Sequence, residues 1–435
     1  MSERPSNDAY ASTALPENMT VPGWRVALII MSFTFSLPGF LNGAQIGLAL
    51  GFHQAILVSI LAGLALCGGA ILTALISVRT RLTTYLLVQH SFGIKGAALV
   101  NIVIAIIHYC WFGVNVSFFG NAMVAAANEG YGIPGDFGIF VIIGSILITF
   151  STIYGFRTLD RLAMVAVPLV GVILLTVCFK LLNTNPVNLA PSETPPVSMS
   201  FGIALSSLIG GNMLTVAAMP DLSRFIRTQR GAIIGMALSF PVAAPLLMVV
   251  SALIALASGE TDIMKLVAGL GFGAPALAML LLSVWTINAL NLYSASLSMS
   301  ATFPKIRGSV FTITGGAIGC SFALMGIIES FIPFLVTLGL IIPPIAAIYV
   351  IDGFTPSRRK IMEAGTPPSF RWLAIAVWLG SLAVTMPATA AGMTLTTVPA
   401  LDAAILAATL YLVLLRMMPK HTRSPRLSNQ EEQTS

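Results

Sequence analysis

Apolar residues run along this chain in stretches separated by short polar joints, from residue 24 to residue 418. A bilayer core about 30 Å thick takes about 20 residues of helix to cross, so each stretch predicts one membrane-spanning helix. Twelve follow in order, at 24–45, 54–78, 95–127, 137–155, 162–182, 199–219, 231–257, 270–300, 309–329, 331–351, 371–391 and 397–418.

Two of these stretches interrupt themselves with residues that free the backbone. One carries Ser36-Leu37-Pro38-Gly39 within 32–43, the other Gly210-Gly211-Asn212 within 206–215. A helix broken inside lipid leaves amide and carbonyl groups that water cannot reach, which is tolerated only where they line a cavity or bind something. Either segment alone reads equally as a kink or as close packing of small residues. The pair, placed in corresponding halves of a polytopic chain, points to a transporter binding site. The joint at 181–198, rich in Asn and Pro, is where two five-span repeats divide: 24–182 and 199–351, followed by two extra helices at 371–418.

Composition agrees with this picture. The chain is 56% hydrophobic and 9% charged, against about 25% charged in soluble domains, so it is read as an all-α integral membrane protein. The first twenty residues are polar with no apolar core, so no cleavable leader is expected and the first hydrophobic stretch is itself a span. Cys67, Cys110, Cys178 and Cys320 lie inside apolar stretches without metal-type spacing and read as small packing residues.

Charge then orients the spans. Twenty of the 22 Lys and Arg fall in alternate joints on one side, and the other side holds only Lys180 and Lys265. The positive-inside rule puts both tails, 1–23 and 419–435, in the cytoplasm. The net charge of +6 follows from this topology and is no sign of nucleic-acid binding.

Polar residues deep in the spans are the candidate chemistry, because they are costly in lipid and face the bundle interior. On the third span, His108, Trp111 and Asn115 are spaced three and four apart and share one helix face. That face suits a flat polar ligand, the indole stacking and the imidazole or amide bonding its edge, or else a clamp between helices. On the eighth, Ser283, Thr286, Asn288 and Asn291 form a polar cluster. Their oxygens suit an alkali cation, their amides suit a heterocycle edge, and interhelical bonding is the plain alternative. On the sixth, Gly211 and Asn212 would offer unwound backbone to a ligand, with Asp221 and Arg224 beyond as a structural or gating ion pair. No Asp or Glu sits in the middle of a span by these limits, and no mid-span Arg or Lys awaits a carboxylate, so a neutral polar solute fits best. No zinc-protease, serine-nucleophile or phosphate-loop motif is present, and enzyme activity is not expected.

Several stretches carry a resemblance: Thr80 to Leu87, Ser91 to Gly96, Trp111-Phe112-Gly113, Asp221 to Phe225, and Trp285-Thr286 with Asn288 and Tyr293. Across about 24–418 the chain resembles the nucleobase–cation symporter-1 family, the group of bacterial cytosine and purine permeases. The resemblance implies a leucine-transporter-type fold, ten helices in two inverted five-helix repeats plus two more, with the first and sixth helices broken. It implies that the base stacks on Trp111, that His108 stands where the family has a glutamine bonding the base, and that Gly211 and Asn212 take the place of a small residue and a second stacking aromatic. Asn288 matches an asparagine that reads the base, and Ser283 stands in place of another. A sodium site is implied between backbone carbonyls near Ser32 to Ser36 and the hydroxyl of Thr286, whose usual hydroxyl partner is Ile287 here.

The expected function is a symporter of the cytoplasmic (inner) membrane that imports cytosine or a related nucleobase by alternating access. Sodium or a proton is the coupling ion, with His108 the candidate proton carrier, and no cofactor is implied. The same fold could instead carry hydantoin, allantoin or a hydroxymethylpyrimidine thiamine precursor. From another class, a channel-like pore or a non-transporting sensor is the alternative.

Overall fold

The structure is a computed structural model. It describes residues 15–34, 36–130, 132–184, 187–271, 273–355 and 367–417. Among these, the sole β feature is a parallel bridge between Val21 and Ile226. The rest of the regular structure is helical: α1 (Gly23–Thr34), α2 (Leu37–Leu50), α3 (Phe52–Thr80), α4 (Thr84–Phe92), α5 (Ile94–Ala125), α6 (Phe137–Thr184), α7 (Phe201–Ala217), α8 (Met219–Ser223), α9 (Gln229–Ser258), α10 (Ile263–Gly269), α11 (Gly273–Thr302), α12 (Gly308–Leu324), α13 (Phe331–Phe354), α14 (Trp372–Ala390) and α15 (Pro399–Met417). Six of them (α3, α5, α9, α13, α14 and α15) are long and apolar enough to cross a membrane by length and composition alone. The expected tails, apart from 15–23, and Arg358, Arg359 and Lys360 lie outside the described residues.

The first span is broken where its residues indicate. α1 stops at Thr34, and Ser36 in extended conformation caps α2, its hydroxyl accepting from the Gly39 amide at 3.3 Å. Pro38 sits in the first turn of α2, where its missing N–H costs nothing.

The sixth span is broken elsewhere than expected. Helix α7 runs unbroken through Gly210, Gly211 and Asn212 and ends at Ala217, and α8 starts at Met219. Gly210 is a crossing point: a Cβ there would lie 1.9 Å from the Leu335 carbonyl of α13 and 2.9 Å from the Gly339 amide. The absent side chain lets two backbones touch, so no unwinding is required. The break follows from Pro220, which has no N–H for the Val216 carbonyl four residues back. Thr73 Oγ1 supplies that hydrogen bond from α3 at 3.1 Å. The Tyr349 hydroxyl likewise bonds the Ala217 carbonyl at 2.8 Å, and Ser77 the Pro220 carbonyl at 2.8 Å. The freed backbone of this span is thus satisfied by protein, not held open for a ligand.

Spans four and five were expected as separate helices, yet helix runs without a break from Phe137 to Thr184. A straight helix of that length would be about 70 Å long. Its two ends instead meet the same end of the bundle: Phe137 and Val141 lie against Gly120 of α5, while Lys180 donates to the Leu270 carbonyl just past α10, which itself packs on α5. The first part of the run, Phe137–Ile153, and the last, Gly171–Thr184, each supply one short apolar helical piece, at the places expected for spans four and five. Arg157 and Arg161 fall among its residues whose side chains are not described.

The basic residues gather at the other end. Arg81, in the left-handed region at φ 59°, donates to the carbonyls of Arg224 (2.8 Å), Ile226 (2.6 Å) and Arg227 (3.2 Å). The same loop pairs with Val21. Asp221 accepts from the Thr84 amide at 2.8 Å, capping the first turn of α4 with a carboxylate, and Arg224 lies over the Phe225 ring. Nearby, Arg371 forms a 2.6 Å ion pair with Asp352, whose side chain is fully buried, and Tyr411 bonds both partners. Arg371 also donates to the His90 carbonyl at 2.8 Å. Burial, and then the Arg371 charge, hold the His90 imidazole below its ordinary pKa. This network ties the last turn of α13 to α4, α14 and α15.

Candidate functional site

Helices α5 and α11 pack against each other, and their polar faces meet. His108 Nδ1 lies 3.1 Å from Asn291 Oδ1. One turn on, Asn288 Nδ2 donates to the Phe112 carbonyl at 3.3 Å. Asn288 is completely buried and Asn115 is 1% exposed. Asn115 Nδ2 donates to the Trp111 carbonyl at 2.8 Å, so the two amides each direct an N–H to consecutive carbonyls of α5. Their oxygens, Asn115 Oδ1 and Asn288 Oδ1, are buried with no partner among the described residues.

Trp111 is half-buried at the boundary of two hydrophobic clusters. Its indole meets Phe334 edge to face at 5.3 Å and Phe331 at 6.3 Å, both on α13. These two aromatic contacts hold the ring in one orientation. On α7, Asn212 spends its NH2 on the Leu208 carbonyl of its own helix (3.1 Å), and Gly211 faces Leu335 at ordinary contact distance. Helix α2 touches both α5 and α7. It contributes Asn42, whose Oδ1 accepts from Ser207 at 3.1 Å, and Gln45, whose buried Oε1 has no partner among the described residues.

The structure thus brings His108, Trp111, Asn115 and Asn288 together with Asn291 at one interface. Thr286 is buried on the same helix at 3% exposure. Of the expected cation ligands, Ser36 already uses its hydroxyl at Gly39 and its carbonyl at the Phe40 amide, 2.9 Å away. The side chains of Ser32 and Ser283 lie outside the described residues. Trp285 serves packing: its Nε1 donates to Ser151 at 3.0 Å on α6. Residue-by-residue reading missed Gln45, Phe331 and Phe334. Gln45, three residues after Asn42 on one helix face, carried a signal; the phenylalanines look like any other apolar positions of a span.

A family model described as permeases for cytosine/purines, uracil, thiamine and allantoin matches residues 17–414. The cytosine permeases of Escherichia coli K12 and O157:H7 are each 25% identical over 375 residues, 85% of this chain and 87% of the relative. Among solved structures, the nucleobase-cation-symport-1 family transporter Mhp1, closed with bromovinylhydantoin bound, aligns with a TM-score of 0.73 at 18% identity, covering 94% of this chain and 95% of that one. Its inward-facing conformation aligns at 0.77 and 17%, covering 94% and 96%. A substrate-bound, outward-open Na+-coupled sialic acid symporter aligns at 0.63 and 12%, covering 92% and 91%.

Proposed function

We infer that, because this chain belongs to the family of permeases for cytosine/purines, uracil, thiamine and allantoin, the interface of α5 and α11 is its substrate site. The protein is then a secondary transporter of a neutral nucleobase or related heterocycle, coupled to a cation and working by alternating access. The observation that carries this reading is the oriented Trp111 ring on the same interface as two buried amide oxygens, those of Asn115 and Asn288, with no partner among the described residues. A flat heterocycle satisfies both at once, by stacking and by edge hydrogen bonds. Trp111 and Asn288 are the contacts whose strength changes between the two access states, without which substrate could not drive the exchange.

The division into inverted repeats at 24–182 and 199–351 belongs to this proposal. Several contacts recur when the halves are exchanged, which supports it: spans two and seven (α3, α9) and three and eight (α5, α11) pack on each other, and the contact of α2 with α9 has its mate in that of α7 with α3. Both tails face the cytoplasm and the protein resides in the inner membrane, as the placement of the basic residues indicates.

Uptake of labelled cytosine into proteoliposomes, under a sodium gradient or a proton gradient imposed separately, tests the reading. Accumulation above equilibrium with one gradient supports it and identifies the ion. Flux that never exceeds equilibrium would make the protein a pore instead. Asn212, in place of a second stacking aromatic, favours one further reading of the substrate: hydantoin, allantoin or a pyrimidine thiamine precursor. Competition by each against cytosine decides between them.

A further inference from the structure

Two membrane helices begin at one junction, and the turns before them are stitched together. The Ile94 amide donates to the Pro368 carbonyl at 2.9 Å, the Lys95 amide to the Ser369 carbonyl at 2.9 Å, and the Arg371 amide to the Phe92 carbonyl at 3.0 Å. Gly93 permits the approach: it lies at φ 80°, and a Cβ there would sit 2.7 Å from the Phe370 Cα. From this junction run α5 and α14, both long and apolar enough to cross a membrane. It therefore marks a depth at which the chain passes from headgroups to acyl chains.

The side chains that the junction leaves uncovered form a single platform. Phe370 and Trp372 stack with centroids 4.7 Å apart and planes 8° from parallel. The Lys95 ammonium lies 5.5 Å from the centroid of the same Phe370 ring. Trp372 is 68% exposed, and Phe370 and Ile94 are exposed as well. Arg371 is not part of this surface, because its guanidinium turns inward to Asp352. Among the described residues, the Lys95 ammonium pairs with no carboxylate and the Trp372 indole N–H meets no acceptor.

The platform thus offers a cation, an N–H donor and an apolar face within one junction. An uncovered indole is favoured at the edge of the acyl region, with its body among the chains and its N–H among the headgroups. An unpaired ammonium at that depth attracts an anionic headgroup. A ligand that answers all three is a phospholipid of net negative charge.

We propose that the junction of α5 and α14 binds an anionic phospholipid of the phosphatidylglycerol class. Its phosphate meets Lys95 Nζ and the Trp372 indole N–H, and its acyl chains lie on Ile94 and the Phe370–Trp372 pair. A zwitterionic lipid offsets its phosphate with its own ammonium and gains less from Lys95. The bound lipid bridges α5, which carries Trp111, and α14, and so helps to fasten the last two helices to the rest.

Most of the Lys and Arg residues are expected on this side and attract anionic lipid diffusely, so the test must be local. Phospholipids brominated on their acyl chains quench a tryptophan that they touch. The full chain is reconstituted in phosphatidylcholine vesicles with a fixed fraction of brominated phosphatidylglycerol or brominated phosphatidylcholine. There are five tryptophans, and Trp372→Phe, which keeps the ring stack, isolates the signal of Trp372. Phosphatidylglycerol should show about fivefold higher relative affinity at Trp372. The preference should fall towards unity in Lys95→Gln and persist in Lys305→Gln, an exposed lysine at the joint of α11 and α12. Equal quenching by the two lipids overturns the proposal. So does a preference that survives in Lys95→Gln, or one lost equally in Lys305→Gln.

A second measurement needs no variant to fold. Titrated into the wild type in detergent, phosphatidylglycerol should raise the thermal midpoint by several degrees more than phosphatidylcholine does, because a ligand of the folded state stabilises it. Equal midpoints overturn the proposal. Both measurements read lipid contact, so they stand whatever the transported substrate proves to be.

Discussion

Trp111 shows how one residue is made useful by its neighbours. An indole in a span is unremarkable by itself, but Phe331 and Phe334 press on it from α13 and fix its plane. Losing it removes the stacking surface, so Trp111→Ala should reduce uptake at least about tenfold, whereas Trp111→Phe, which keeps an aromatic face, should lose less. Initial uptake rates at matched protein density in the liposomes would show this, and equal rates for the two variants would place stacking elsewhere. Asn288 differs in kind. Removing its side chain leaves the Phe112 carbonyl short of a donor as well as removing the ligand acceptor. Asn288→Ala should therefore lower both nucleobase affinity and the thermal midpoint. A changed affinity with an unchanged midpoint would show that the Phe112 bond contributes little.

At the scale of elements, local composition and contact gave different answers for two segments of similar appearance. Ser36-Leu37-Pro38-Gly39 is a true break, because a capping hydroxyl and a first-turn proline both favour restarting a helix there. Gly210-Gly211 also reads as a break, yet it is where α7 crosses α13 with backbones touching. Gly210→Val should therefore push the two helices apart and lower the thermal midpoint by many degrees. Gly211→Ala, whose new Cβ meets only the Leu335 side chain at 3.4 Å, should be mild. A scan of the two purified variants by intrinsic fluorescence distinguishes them. Equal midpoints would mean that the crossing is not tight. The sixth-span break lies at Pro220, past the Gly-Gly-Asn expected to carry it, and only the tertiary contacts reveal that Thr73 and Tyr349 already occupy the carbonyls around it.

Across the whole molecule, the last two helices are fastened to the rest by charge. Asp352, Arg371 and Tyr411 lie far apart in sequence and meet in one buried network. Breaking such a pair on one side leaves an uncompensated buried charge, which costs about 3–5 kcal/mol, while replacing both partners is far less harmful. Asp352→Asn should thus be destabilising, and adding Arg371→Met should restore part of the loss. Thermal midpoints of the single and double variants decide it, and a double variant worse than the single would show that the pair is not coupled. No spacing announced this network: Asp352 reads as the polar end of a span, and Arg371 as one more residue satisfying the charge bias.

What the sequence determined by itself is therefore what depends on the medium. Apolar stretches long enough for lipid mark the spans, the lopsided basic residues give the expected side, and the rare polar positions on α5 and α11 marked the candidate site, because burying each of these wrongly is costly whatever it touches. What only the tertiary structure decided is what depends on a partner. Whether Gly-Gly unwinds or crosses, and which donors reach the carbonyls around Pro220, are settled by atoms from other helices. Hydrogen bonds and close packing act over only a few ångströms, between residues whose distance along the chain says nothing of their distance in space.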